Sequence, residues 1–286
     1  MRLCRRFAAF CAAAQLCALG CAPRAAGPAT SDAQRPRIVS LAPSLTEMVY
    51  AVGAGAELVG DTKYDDYPAA AVRLPHVADL SSVDLERLAA LRPTLVLALH
   101  DQEREGGQIE ERLRVPVRYL PNRSLHDLFS DITQVGSLCR RSAQAQALSD
   151  SLRERIHRIA ARAPRGRHKP RVFFLLGLPG FTAGKNSFIN DLIELAGGTN
   201  IAAGVDQPYP DLSAEAIVRA DPQVIIVAGD TPFGVDDRRR EPWRSCSAVR
   251  RGAVLRPPND DLLERNGPRV AVGLQWLADV IKRYGR

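Results

Sequence analysis

Apolar and polar positions along this chain fall into blocks, and one block occurs twice. Residues 85–93 (LERLAALRP) are followed by the apolar run Leu95 to Leu99, and residues 214–222 (AEAIVRADP) by the apolar run Val224 to Ala228. In both copies a Glu stands seven positions before a Pro, so each reads as a short helix that stops at the Pro before a buried strand begins. Upstream, Pro36-Arg37-Ile38-Val39 has a counterpart in Pro170-Arg171-Val172-Phe173, and each opens an apolar run that reads as a first strand. A helical stretch ending in a Gly turn follows each, at Gly53-Ala54-Gly55 and at Gly197-Gly198. Strands alternating with helices imply parallel sheets covered by helices. The expected fold is therefore α/β, with two Rossmann-like lobes.

Between the two copies, residues 137–163 contain neither Gly nor Pro and set Leu148, Leu152, Ile156, Ile159 and Ala163 at steps of three or four. This predicts one helix of about 40 Å that crosses from lobe to lobe and permits only modest closure. The implied organisation is an N-terminal lobe over 36–138, an inter-lobe helix over 139–164 and a C-terminal lobe over 165–286. With 286 residues, 45% of them hydrophobic, the chain can bury a core of that size.

The N-terminus changes the reading of charge. Arg2, Arg5 and Arg6 precede an apolar stretch from Phe7 to Leu19, which has the form of an export signal over 1–20. Ala18-Leu19-Gly20-Cys21 resembles a bacterial lipobox, with Cys21 as the acylated residue, and 21–35, rich in Ala, Pro and Ser, then forms a tether. Without the first twenty residues the net charge falls from +7 to +4, and the remaining basic residues are interleaved with acids, which argues against nucleic acid as a partner. Contact with a membrane is expected only through the lipid anchor, and the chain is expected to be a periplasmic monomer.

Most chemical motifs fail on spacing. A dinucleotide loop at Gly53 needs Gly where Leu58 stands, and a phosphate loop ending at Gly184-Lys185 needs Gly where Pro179 stands. No Gly-x-Ser-x-Gly elbow is present, and five scattered histidines with two distant cysteines, Cys139 and Cys246, match no metal-ligand spacing. Whether those two cysteines pair is left open by the sequence. Neither a catalytic residue, a cofactor nor a bound metal is expected, although a hydrolytic or redox enzyme using the same cleft is the alternative from another class.

Three segments fall where paired lobes would face each other: residues 64–68 (YDDYP), 181–185 (FTAGK) and 260–265 (DDLLER). Rings with a few polar groups at the carboxyl ends of strands suit a large, flat, partly apolar ligand. Glu86 and Glu215 occupy matching first-turn positions, after Asp84 and Ser213. They either complement a helix dipole or present one acid per lobe to a pseudo-symmetric basic partner.

The motifs RIVSLAPSLTEMVYAVGAG, DTKYDDYP, VDLERLAALRPTLVLA, FTAGK, ELAGGTN and DDLLERNGPR together resemble the helical-backbone binding proteins, which carry cobalamin, haem or ferric siderophores to bacterial ABC importers. The similarity runs from about Pro36 to the C-terminus and lies with the cobalamin carriers. It implies capture of cobalamin (vitamin B12) or a related corrinoid, delivery to a permease and ATPase complex, and two lobes joined by one long helix. Haem or a ferric siderophore is the alternative cargo, with Tyr64 or Tyr209 as an iron ligand.

Carried over by position, Tyr64, Phe181 and Tyr209 would line the cleft, Asp261 and Arg265 would form its polar pair, and Glu86 and Glu215 would dock on the permease. Two departures stand out. Tryptophans expected near Leu80 and Leu99 are missing, and the family's disulfide positions hold Ala196 and Ala278.

Overall fold

The computed structural model describes residues 35–79, 82–164 and 169–284. The expected export signal, the tether up to residue 34, with Cys21, and Leu80 lie outside these residues.

In chain order the first lobe runs β1 (Ile38–Ser40), α1 (Pro43–Ala51), β2 (Leu58–Thr62), β3 (His76–Ala78), α2 (Leu85–Ala90), β4 (Leu95–Leu99), α3 (Glu103–Leu113), β5 (Val117–Leu120) and α4 (Leu125–Leu138). Its five strands are all parallel, in the order β3-β2-β1-β4-β5. The central strands β1, β2 and β4 are short and largely buried on both faces, as a parallel sheet sandwiched by helices requires. Val39, Val96 and Ala98 pack with Leu88 of α2 and Ile109 of α3 on one side, while Ile38 and Leu97 pack with Leu45, Met48 and Ile132 on the other.

Helix α5 (Ser142–Arg162) leads to the second lobe: β6 (Arg171–Gly177), β7 (Phe181–Thr182), α6 (Phe188–Leu195), β8 (Thr199–Asn200), α7 (Ala214–Ala220), β9 (Val224–Val227), α8 (Val235–Arg238), α9 (Ser247–Arg250), β10 (Val254–Leu255), α10 (Asp261–Glu264) and α11 (Val270–Tyr284). Its sheet has the order β10-β9-β6-β7, with β8 pairing β6. The repeated block is visible here, since α2-β4 and α7-β9 hold the same relation to β1 and β6. Gly53 and Gly197 end their helices at φ 80° and 88°, a conformation that costs glycine least. One pairing departs from the all-parallel expectation. β7 runs antiparallel to β6, because three residues separate them and a parallel return needs a crossover of a dozen or more.

A single helix, α5, does join the lobes, but it starts later than the span 137–163 predicts. α4 ends at Leu138 and α5 starts at Ser142, so the connecting helix has 21 residues and spans about 31 Å. Arg140 adopts φ 55° and the Arg141 amide closes back on the Gly136 carbonyl at 2.6 Å, a helix end made without Gly or Pro at the turn. Gly136 admits this packing, since a Cβ there would collide with Ala145 of α5. α5 buries Leu152, Ile156 and Ile159 in a core that contains side chains of both lobes.

Cys139 and Cys246 are both buried and unpaired, in different apolar clusters. Ala196 and Ala278 are also buried, so packing does the work at the positions where the resemblance placed a disulfide.

Candidate functional site: an aromatic cleft beside an ionic seam

The cleft forms at the carboxyl ends of the strands, where open α/β sheets collect ligands. Two adjoining cavities of about 470 Å³ each share Ala42, Pro43, Leu99 and Asp101. Tyr64 lines one, with Asp79, Arg104 and Glu105 nearby. Tyr209 lines the other, with Asn122, Arg123, Phe188, Glu264 and Arg265. Leu99 lies on the wall of both, so the position where a tryptophan was expected does face the cleft.

Local hydrogen bonding sets each ring. Asp65, buried, accepts from the Thr62 amide at 2.9 Å and the Thr62 hydroxyl at 2.5 Å, and that hydroxyl in turn accepts from the Tyr64 amide at 3.2 Å. This closes the turn after β2 and presents Tyr64 at its tip, 37% exposed. Burial raises the Asp65 carboxyl above the ordinary range, against the hydrogen bonds from Thr62 that lower it.

On the other lobe, β7 and the segment 207–212 lie side by side. Gly184 donates to the Pro208 carbonyl at 2.9 Å, Thr182 to the Pro210 carbonyl at 3.0 Å and Leu212 to the Gly180 carbonyl at 3.0 Å. A Cβ at Gly180 would strike the Leu212 backbone, and one at Gly184 the Gln207 carbonyl, which is the physical content of Gly in this motif. The pairing brings Phe181 and Tyr209 together, ring centres 6.3 Å apart and tilted by 40°. Both stay open to solvent, at 38% and 45% exposure, and their separation lies within the range of favourable aromatic pairs. Phe181 is not itself on either cavity wall; it abuts the ring that is. Burial and the Asp101 carboxylate raise the Tyr209 phenol above its ordinary range.

The polar pair expected in the cleft is placed differently from the rings. Arg265 lines the Tyr209 cavity, but its guanidinium is already taken up. Nη1 donates to Asp66 Oδ1 at 2.6 Å and to Glu47 Oε1 at 3.4 Å, while Nη2 donates to the Tyr64 carbonyl at 3.0 Å and meets Asp261 Oδ1 at 2.9 Å. Asp261 faces Arg265 and Arg269 rather than either cavity. Burial raises the Asp261 carboxyl, with Asp66 adding to the rise and Arg265 opposing it. Asp66 is also pushed up by burial, yet Arg265 holds it below the ordinary range. The two acids thus share the Arg265 charge unequally.

Glu47 and Arg269 complete this cluster. Glu47 projects from α1 with 3% exposure and accepts from Arg269 Nη2 at 2.5 Å and Nε at 2.8 Å, a bidentate pair. The Arg269 guanidinium also lies 4.2 Å from the Tyr67 ring centre. A second fastening lies beside it. Asn122 donates to the Asn266 carbonyl at 2.9 Å, Asn266 to the Ser124 carbonyl at 2.8 Å, and the Leu125 amide to Asp191 Oδ2 at 2.9 Å. The segment 265–269 therefore touches three separate stretches of the first lobe. Sequence reading missed Glu47 and Arg269. The available signal was an acid at position 47, between Leu45 and Met48 in an otherwise uncharged helix.

Glu86 and Glu215 lie in exposed first turns, one on each lobe. Asp84 accepts from the Arg87 amide at 2.9 Å and Ser213 from the Ala216 amide at 3.2 Å, so other side chains already cap both helices. Among the described residues neither glutamate meets a basic partner. The described residues also hold no cluster of three or more His, Cys, Asp or Glu suited to a metal ion. No helix among them is long and apolar enough to cross a membrane.

A two-lobe α/β scaffold with a cleft between the lobes defines a class of solute-binding proteins, and the sequence agrees. The chain belongs to the periplasmic binding protein family, which matches residues 38–260. It is 32% identical over 244 residues to the vitamin B12-binding protein of Yersinia pestis (strain Pestoides F), covering 84% of each chain. Among solved structures it resembles the periplasmic vitamin B12-binding protein of Vibrio cholerae, with 26% identity, a TM-score of 0.74, and 87% of this chain and 97% of that one covered. The periplasmic heme-binding protein of Roseiflexus sp. RS-1 is as similar, with 26% identity, a TM-score of 0.77, and coverage of 88% and 100%.

Proposed function

We propose that this chain captures cobalamin or a related corrinoid in the cleft between its lobes and delivers it unchanged to an ABC permease. The observation that carries this reading is the pair of rings on the cavity walls, Tyr64 from the first lobe and Tyr209, backed by Phe181, from the second, in a chain 32% identical to a vitamin B12-binding protein. The ring faces supply the contact. Covering the exposed parts of three such rings removes roughly 200 Å² of apolar surface, about 5 kcal/mol at the usual coefficient. Association costs at least that much in lost freedom, so the ligand's own apolar area and hydrogen bonds must supply the net affinity. Because the lobes are already fastened, little of that energy goes into closing the cleft.

In this reading Arg265 and Asp261 act by holding the Tyr64 turn and the lobe angle, while Asp101, Arg104, Asn122 and Arg123 offer the polar contacts to ligand substituents. Glu86 and Glu215 meet arginines of the permease, one on each half, and an acylated Cys21 holds the protein at the membrane. Titration with cyanocobalamin, followed by the change in its visible absorbance, is expected to saturate at one ligand per chain. Absence of any response at tens of micromolar protein rejects the corrinoid. A parallel titration with haemin tests the runner-up, favoured by the similarity to the heme-binding protein, and a phenolate-to-iron charge-transfer band lost in Tyr209→Phe or Tyr64→Phe would establish it. Chromatographic recovery of altered ligand after prolonged incubation would replace carriage by catalysis.

A further inference from the structure

Away from the inter-lobe cleft, α5 and α11 form a groove of about 520 Å³. Its floor is Ile159, Leu262, Ala271 and Trp276, and its α5 rim carries Arg155, Arg158 and Arg162. α10 separates this groove from the cleft, with Glu264 and Arg265 facing one and Leu262 facing the other. All three arginines are exposed. Arg158 lies 3.7 Å from Glu154, whereas Arg155 and Arg162 meet no acid within ion-pair distance among the described residues. On the opposite rim Asp279 accepts from Gln275 at 3.1 Å, and Val272 is 44% exposed.

Charge along the sequence singles out the same place. Residues 153–169 carry seven Lys and Arg against one acid, whereas the rest of 36–286 carries 27 against 30. Basic residues, interleaved with acids elsewhere in the chain, thus cluster along 153–169 of the sequence, and five of the seven lie among the described residues. Unpaired guanidiniums beside a shallow apolar groove with a half-buried Trp match an anionic headgroup layer over acyl chains, since Arg attracts the phosphates while Trp favours the boundary.

We propose that the α5–α11 face docks on an anionic phospholipid surface, with Arg155, Arg158 and Arg162 against the headgroups and Trp276 at the boundary. This docking is independent of what the cleft carries and of Cys21. It would fix which way the cleft faces relative to the membrane that holds a permease.

The test is co-sedimentation of the full chain with vesicles of phosphatidylcholine alone or with about one third phosphatidylglycerol, every variant keeping the same N-terminus so that its contribution cancels. At about fivefold per arginine, the wild type is expected to prefer the anionic vesicles on the order of 100-fold at low salt, and less at high salt. Arg155→Glu/Arg162→Glu is expected to bring the two vesicle types within about threefold of each other. Arg239→Glu/Arg240→Glu, the same charge change beside α8, is expected to keep the preference. Equal loss in both double variants would reduce the effect to net charge and overturn the proposal. So would competition by free glycerol phosphate, which would make the groove a small-anion site, or sedimentation of the wild type as a dimer that Arg155→Glu/Arg162→Glu dissociates.

Discussion

The inter-lobe boundary has two regions built on opposite principles. At the seam, Glu47, Asp66, Asp261, Arg265 and Arg269 satisfy one another almost completely, and little is left for a ligand. In the cleft, Tyr64, Phe181 and Tyr209 are left partly bare, and apolar faces without partners are what a guest can cover. Conspicuous charges near a cleft are therefore not automatically ligand groups. Here they hold the walls, and the walls carry the rings.

The largest expected effect breaks the seam. Glu47→Ala leaves two guanidiniums short of a buried partner and is expected to cost about 3–5 kcal/mol in urea unfolding. Loss of under 1 kcal/mol would mean that α5 and the Asn122–Asn266 fastening suffice to fix the lobes. Next comes Asp131, buried on α4, which accepts from the Asn122 amide at 3.1 Å beside the second fastening and whose other oxygen has no partner in the structure. Burial pushes its carboxyl up to about 6, with the hydrogen bonds from Asn122 pulling the other way. Because the native chain holds this proton longer than the unfolded chain, the group's stabilising contribution is complete below about pH 4 and is lost as pH rises to about 6. The loss is about 3 kcal/mol, and Asp131→Asn should flatten that stretch of the stability–pH curve.

Removing the rings probes the other region. Phe181→Ala/Tyr209→Ala is expected to weaken ligand binding about 10- to 100-fold, or about 1.4–2.8 kcal/mol, with little change in unfolding because both rings are partly exposed. A collapse in stability instead would show that the pair braces the β7 segment. The smallest energetic effect belongs to Glu86→Arg/Glu215→Arg, within about 0.5 kcal/mol in stability and without change in ligand affinity. Transport in a reconstituted system should nevertheless fall, and normal uptake by that variant would remove the docking role.

Much of the fold is legible along the chain itself. The paired blocks around Pro93 and Pro222 set the α-then-β units because Pro ends a helix and a continuous apolar run needs cover on both faces. The motif FTAGK marks a tight backbone pairing through its glycine, and the turn after β2 is marked by Asp65 and its neighbours. The break at Cys139–Arg141 is not legible, since it uses Arg140 at positive φ and a glycine one turn earlier, and neither carries a breaker signature at the site itself.

Sequence alone determined the periodicities, the family and the residues that stand near the cleft, because those follow from local spacing and from motifs short enough to read. Tertiary structure decided which of those residues are free. Arg265 and Tyr209 look equally available along the chain. Glu47 and Asp66, some two hundred positions earlier, neutralise the first, while the second keeps 45% of its surface exposed. Availability is a property of what surrounds a group in space, and long-range pairing of charges leaves no local trace in sequence.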